Sequence, residues 1–557
     1  ISVVLALTFI STDFQNTSSQ QTKGKSADLI EQPLTSLKGI ANKAVLSQDG
    51  TSLLFIHRKQ PNDNAMVWLK PKSDAPQQLT DDNFYYMSAI FAAENQIIAS
   101  RFNNIHQRKC EIVSINTLHK TVSPILDCAD RALTLLAYNA SANTLYFNYR
   151  TQLNAPFSIY AYQLATKRLQ QLTFPYSDGN IRGDYMLSLS PKEDRLAILE
   201  YQENTSAKLK ILDLTTNALS HHQQAFSTNS SLSWFNDDRL IITDAQGIHS
   251  YELSSKKLQT LKSQIDIGFS SANARTKTLV FDKGTTIANL YQYSIADVDT
   301  TTNSASTKQA FTASNFVNYH PQFANRSKKI AYLTTDNGTT ELMIKPEHAN
   351  AFNSQFNDKI KSLANFHWSP DDNYLVASIN NQLHIFNEQN KQWRLLLNEQ
   401  HNVHYVYFAN PKQVIFSSDK SGDWQIWQLD IASGQLAQLT KNGGYSAQGD
   451  PNSGQLFLTK FNVPGLYQLN LNTGVEQAVI ADFPRTSWKK WQLINSAIYY
   501  LGEADIMALD TQKMTTQTVL TFTERPPTSF STSYDEQHLL REVIEQSNSN
   551  IWSIKVN

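Results

Sequence analysis

At 557 residues the chain is too long for one ordinary hydrophobic core, so two domains or a large repeat array are expected. Hydrophobic residues make up 41% and aromatics 11%, which excludes a disordered chain. A formal net charge of -1 gives no electrostatic footprint for nucleic acid, so direct nucleic-acid contact by this segment is not expected.

The chain opens with ISVVLALTFI (1–10), apolar except for Ser2 and Thr8. This covers about half of the roughly 20 residues that a bilayer-spanning helix needs. No basic flank precedes the run and no small-residue cleavage site follows it, which argues against a secretory signal. The expectation is the C-terminal half of a single transmembrane helix, in a protein that starts before Ile1; a hydrophobic strand is the alternative. Residues 11–30 turn to Ser, Thr, Gln, Asn and Lys, a composition that buries too little to fold and predicts a flexible stalk.

From residue 31 a unit of about 44 residues recurs, a period that marks propellers or solenoids. Its first signature is a strand running into a turn of the S-P-D-G type: VLSQDG (45–50), LSLSPKED (187–194), SWFNDD (233–238), HWSPDD (367–372) and SYDEQ (533–537). Pro presets φ for such a turn, and Asp or Asn suits its next corner. An apolar strand follows each time. One turn later comes an aromatic, alternating strand: FSIYAYQL (157–164), NLYQYSI (289–295), WQIWQLD (424–430), GLYQLNL (465–471) and NIWSIKV (550–556). Period-two alternation with aromatics marks half-buried strands. QQLT (77–80 and 170–173) and AQLT (437–440) close the unit. Four strands, a to d, make one blade, and no helical period intervenes, so the chain is all-β. Strand a recurs about twelve times, beginning near 43, 86, 132, 184, 231, 266, 318, 364, 404, 445, 488 and 528. Propellers typically carry four to eight blades, so two tandem rings of six are the natural partition.

The two cysteines, Cys110 and Cys128, flank a hairpin, CEIVSIN then TVSPILDC, and are symmetric about residue 119 in its turn. Pairing about that centre sets them directly opposite, where a disulfide fits; two free thiols are the alternative. Closing such a loop stabilises by roughly 3 kcal/mol.

The ends of the repeat carry a further signal. EQPLTSLKG (31–39) is a strand d with no blade before it, and the last repeat stops after its strand c. After NLYQYSI a polar stretch (296–309) leads to QAFTAS (309–314), another strand d. The expectation is a first propeller at 31–297, a linker at 298–308 and a second propeller at 309–557, each clasped by its N-terminal strand d. The first clasp would close on the blade at 265–297, and the second on the final blade.

The S-P-D-G-type strand a, aromatic strand c and Q-L-T strand d resemble the TolB-like family of β-propeller repeats over nearly all of the chain after residue 31. Behind an apolar helix and a polar stalk, they resemble the periplasmic part of membrane-anchored winged-helix regulators of the CadC/ToxR type. That resemblance implies a single-pass inner-membrane protein whose DNA-binding domain lies upstream. It implies a protein or small-ligand partner in the periplasm, and a homodimer is compatible with it. A TolB-like periplasmic scaffold and an accessory propeller of a peptidase are the alternatives.

Chemistry-bearing motifs are sparse. No G-x-S-x-G elbow occurs, and two cysteines do not make a multi-Cys zinc site. His221 and His222 fall in a polar stretch read as a loop between blades. His401 and His404 are spaced to face opposite sides of a strand, as are Trp424 and Trp427, so joint ligation or a shared platform is not expected. The expectation is no catalytic, metal or cofactor residue, with Cys110 and Cys128 as the one covalent feature and the ligand-binding residues unassigned.

Overall fold

The computed structural model describes residues 29–556 except 61–62, 104–108, 131–132, 153–154, 176–182, 202–205, 228–229, 245, 264–266, 296–297, 300–303, 306–307, 337–338, 359, 361, 398–401, 503–504 and 523–526. The expected transmembrane segment at 1–10, and the stalk apart from its last two residues, lie outside the described residues. Among those described, no helix is long and apolar enough to cross a membrane.

The chain is an all-β propeller protein built of four-stranded antiparallel meanders. One blade runs Leu136–Asn139, Thr144–Tyr149, Ser158–Gln163, Arg168–Gln171. Its second strand is enclosed by both neighbours, so Leu145, Tyr146 and Phe147 are consecutively buried, whereas the outermost strand is polar and exposed. This inside-to-outside gradient explains why strand b reads as an apolar run and strand d as a polar one. Consecutive blades pack face to face through these apolar strands, as where Leu135, Tyr146 and Ile159 join Met186, Leu196 and Leu199.

The two sequence signatures have definite physical roles. In the S-x-D turns, Ser47, Ser369 and Ser533 donate from Oγ to Asp49, Asp371 and Asp535 at 2.5–2.6 Å. The same serine oxygens accept the N–H of Ser52, Tyr374 and His538, five residues on. The fourth turn position has φ near +60° in Glu193, Asp372 and Glu536, and is glycine at Gly50. A side chain there costs backbone strain. Asp372 offsets it by accepting the N–H groups of Asn325, Arg326 and Ser327 from the preceding blade. In the Q-L-T strand, the threonine Oγ1 accepts a strand c N–H: Thr80 from Val67, Thr173 from Ile159, and Thr440 from Ile426.

The same threonine device locates the clasps and corrects one expectation. Thr35 caps Ile551 and Thr312 caps Leu290, the reverse of a chain that keeps each strand c in its own ring. Thr278–Ser294 and His538–Lys555 are two long strands paired antiparallel from end to end. Strand b of the first ring's last blade (278–283) therefore continues into strand c of the second ring's last blade, beside 538–543. The second ring's strand b continues likewise into 550–555, which lies beside 278–283. Gln32–Pro33 closes the first ring against 552–553, and Lys308–Ala310 closes the second against 291–293. The clasps reach the expected blades, but their c strands are exchanged, so a division into 31–297 and 309–557 cuts through both last blades. The physical reason is that NLYQYSI and NIWSIKV present the same pattern. Asn289 and Asn550 make equivalent bonds, accepting from Thr312 and Ser314, and from Thr35 and Leu37.

Ring closure is apolar in both cases. Ala41, Ala44 and Phe55 pack on Val280 and Ile551, and Ile330 and Tyr332 pack on Leu290 and Leu540. Each ring has an upper face, bearing the d-to-a and b-to-c connections. The exchanged segments 284–288 and 544–549 leave strand b at this face, so they join the two upper faces directly. Gly284 sits at that crossing, where a Cβ would meet the carbonyl of Asn548 and the side chain of Ser549.

Candidate recognition site at the mouth of the second ring

On the upper face of the second ring, three consecutive blades present an aromatic residue at or just before strand a: His404, Tyr445 and Trp488. The His404 ring lies 5.1 Å from Tyr445 in a stacked arrangement and 4.8 Å from Trp488. Tyr445 stands 5.1 Å from Trp488, 5.1 Å from Trp424 and 4.8 Å from Phe461, the last two supplied by b-to-c connections. Tyr445 is buried, while His404, Trp424, Phe461 and Trp488 are each half-buried and keep part of their surface at the mouth.

Local sequence holds each ring in place. Gly443 donates to Gln425 Oε1 and Gly444 to the Trp424 carbonyl, which fixes the K-N-G-G-Y loop ahead of Tyr445. A Cβ on Gly444 would come within 2.5 Å of the Ile426 side chain, so only glycine allows this approach. Trp488 follows a single 3-10 turn, Arg485–Ser487, and its carbonyl accepts the indole N–H of the buried Trp491.

Lys489 stands next to Trp488, its ammonium 5.4 Å from the indole centroid. Its side chain is exposed, yet surrounding protein lowers its pKa, with Glu542 opposing and Lys490 reinforcing that shift. Solvent contact combined with dense surroundings describes a group in a wet recess. Glu542 is buried and accepts from Thr528 N–H and Oγ1 and from Ser529 Oγ. Lys489 has no hydrogen bond or ion pair among the described residues. Behind it, burial first and then Lys489 hold the His320 pKa down at about 3, so that imidazole is neutral.

The first ring's upper face is charged instead, and several of its charges are ion-paired, while Arg150 donates to the Asp130 carbonyl and lies over Phe157. Arg101 binds Asp82 at 2.7 Å and Glu111 at 2.9 Å, beneath Phe84. Lys210, fully buried, binds Asp184 at 2.5 Å and Glu200 at 3.5 Å. Glu31 receives Lys262 and Lys283; burial pushes its pKa up, but the two ammonium groups outweigh it and hold the carboxyl low. Arg150 is lowered to about 10, by burial first and then by Arg485 of the other ring.

Other sequence candidates resolve plainly. Cys110 and Cys128 form a disulfide, with Cα atoms 4.9 Å apart and Cys128 N–H donating to the Cys110 carbonyl. His221 and His222 lie in strand Leu219–Ser227, not in a loop; the strand is a blade's outer edge, where polar residues are tolerated. His222 Nδ1 is 3.2 Å from Tyr251 Oη. His401 lies outside the described residues. Trp427 packs against the apolar cluster between its blade and the preceding one, whereas Trp424 joins the aromatic mouth. Among the described residues, no three His, Cys, Asp or Glu side chains gather around a metal-sized space. A cavity of about 430 Å³ near Tyr499 and Asp510 is a weaker candidate, since its charges are engaged: Glu536 with Asn495 and Tyr499, and Lys513 with Asp510. Sequence reasoning missed the mouth because its residues come from different blades. The available signal was the shared blade phase of residues 404, 445 and 488.

No protein-family model and no curated protein matches the chain. Solved structures with some likeness include the extracellular domain of BT4673 from B. thetaiotaomicron, described as a one-component system (11% identity, 89% of this chain and 73% of that one, TM-score 0.30). TolB from Acinetobacter baumannii aligns over 58% of this chain and 83% of its own, at 12% identity and TM-score 0.29. The tricorn protease aligns over 92% of this chain and 62% of its own, at 9% identity and TM-score 0.31. Overlap this loose assigns no function.

Proposed function

We propose that this chain is a recognition region, two exchanged rings of six blades each, whose second ring binds a partner or small ligand and reports that binding to a domain outside the propellers. The observation that carries the reading is the contrast in charge pairing. Several of the first ring's upper-face ions are held in ion pairs, the turn carboxylates serve backbone N–H groups and hydroxyls, and Lys489, beside the aromatic rings, has no ion pair among the described residues. Such a surface favours binding over bond-making, which would call for a nucleophile and a base within hydrogen-bond reach. Taken with the apolar run at 1–10 and the polar stretch at 11–30, the rings would form the periplasmic part of a single-pass, membrane-anchored transcriptional regulator with an upstream winged-helix domain. The Cys110–Cys128 bridge supports an oxidising compartment.

Alkaline phosphatase fused after residue 557 in a bacterial host tests this placement. Phosphatase activity, with Cys110 and Cys128 peptides linked in non-reducing mass spectrometry, is expected. An inactive fusion with free thiols overturns it.

A further inference from the structure

We propose that the mouth of the second ring binds a carboxylate carried on a ring-sized aromatic or apolar body, with Lys489 pairing the carboxylate and Trp488 and His404, which pack on the buried Tyr445, receiving the body. The inference rests on the recognition reading above and names its ligand chemistry.

Three observations converge on it. Lys489 is exposed and makes no ion pair within 4 Å among the described residues, so an incoming carboxylate can form a charge-assisted pair with it. Among the described residues, Glu542 is the carboxylate that acts on it, and it already accepts from Thr528 and Ser529. The wall beside Lys489 is aromatic: Trp488 presents its ring to the ammonium at 5.4 Å, and His404 and Tyr445 continue the surface at 4.8 and 5.1 Å. Half-buried rings have surface still to cover, and covering it adds to affinity at roughly 25 cal/mol per Å² before losses of freedom are counted. Two centroid steps, of 5.1 and 4.8 Å, carry the wall from Trp488 through Tyr445 to Phe461, a footprint for one or two ring-sized groups. Neutral His320 behind the lysine adds no competing positive charge.

A free organic acid and the C-terminal carboxylate of a peptide share this chemistry. Calorimetry on the full chain separates them with four probes: phenylacetate, phenylacetamide, Gly-Gly-Phe and its C-terminal amide. At least one acid is expected to bind, with its amide bound tenfold or more weakly. Lys489→Met should lose the same tenfold or more, Lys489→Arg should restore most of it, and Trp488→Ala should weaken acid and amide alike. The thermal midpoint of Lys489→Met should match the parent, because the side chain is exposed. Binding by phenylacetate alone assigns small acids, and binding by Gly-Gly-Phe alone assigns peptide termini. Equal binding of acid and amide, no effect of Lys489→Met, or no binding of either acid at millimolar concentration overturns the proposal. The phosphatase-fusion result is independent of all of these, so a failed ligand class is distinguishable from a failed placement.

Discussion

In the first ring the upper-face ends of the blades carry Asp82, Arg101, Glu111, Asp184, Glu200 and Lys210, gathered into two groups in which one cation bridges two carboxylates. In the second ring the matching region carries His404, Tyr445, Trp488, Trp424 and Phe461, with Lys489 unpaired beside them. One scaffold thus accommodates two uses of polar and aromatic groups. Ions that complete one another lock adjacent strands and leave nothing for a ligand, whereas half-covered rings and a lone ammonium remain to be satisfied from outside. The first ring's ion groups gather within single blades, whereas the second ring's aromatic residues meet across three neighbouring blades.

The comparison presupposes that the rings are parts of one folded unit, and the strand exchange makes that testable with the largest effect. A protease site placed between residues 295 and 308, once cut, should leave two fragments that stay together through size-exclusion chromatography, because each supplies the other's strand c. Thr286 and Ser547 face each other in the crossing with hydroxyls 3.1 Å apart. The double variant Thr286→Cys/Ser547→Cys should accordingly form a disulfide under mild oxidation. Fragments that separate and cysteines that stay reduced would return each strand c to its own ring.

Next in size is the contrast between the two lysines. Lys210→Met leaves Asp184 fully buried without its partner and should cost about 3–5 kcal/mol in denaturant unfolding. Burial already raises the Asp184 pKa against the opposing pull of Lys210, so the loss should shrink at low pH, where the carboxyl protonates. Lys489→Met should leave the unfolding midpoint in place. Equal losses at both positions would erase the distinction between a structural and a recognition lysine. Removing the Cys110–Cys128 bridge by a double Ser substitution should cost roughly 3 kcal/mol, on the first ring's side only.

Local chemistry was legible in the sequence and cross-blade chemistry was not. The S-x-D turns and Q-L-T strands place their own hydrogen bonds within a few residues or within one blade, so Ser369, Asp371 and Thr440 do what their spacing implies. Cys110 and Cys128 belong to one hairpin, and pairing about residue 119 places them opposite. A bulge between Ile112 and Val113 shifts the turn half of that ladder without disturbing the cysteine end. The c-strand exchange was hidden because NLYQYSI and NIWSIKV fit either blade, and only the short crossings 284–288 and 544–549 choose between them. The aromatic mouth was hidden for a related reason. Along the sequence Trp424 and Trp427 look like neighbours of one strand, whereas Trp424 packs on Tyr445 and Phe461, one blade further on, and on His404 of its own blade.

The smallest effect opposes the rings by pH. In the second ring, burial holds His320 at about 3 and His367 at about 4, and His367 Nδ1 accepts the Phe408 N–H at 3.4 Å, a neutral arrangement. The unfolded chain takes up protons below about 6.5 that these imidazoles refuse. Their contribution to stability is complete above that pH and is lost as pH falls toward their folded values. In the first ring, burial lifts Asp282 to about 7 while the Lys43 backbone N–H and ammonium act against it. There the native state keeps a proton that the unfolded chain releases above about 4, so stability is present at low pH and is lost as pH rises toward 7. Burial also holds Lys43 at about 8, against the pull of Asp282, which adds stability only as pH rises above that value. Between pH 7 and 5, hydrogen-exchange protection, corrected for the intrinsic pH dependence of exchange, should therefore fall around His320 and His367 and rise around Asp282, each by no more than about 1.4 kcal/mol per pH unit per group. His320→Gln with His367→Gln should flatten the first trend and Asp282→Asn the second. Exchange that moves in the same direction in both rings would mean that the shared b-to-c strands couple them too tightly for their buried groups to be read apart.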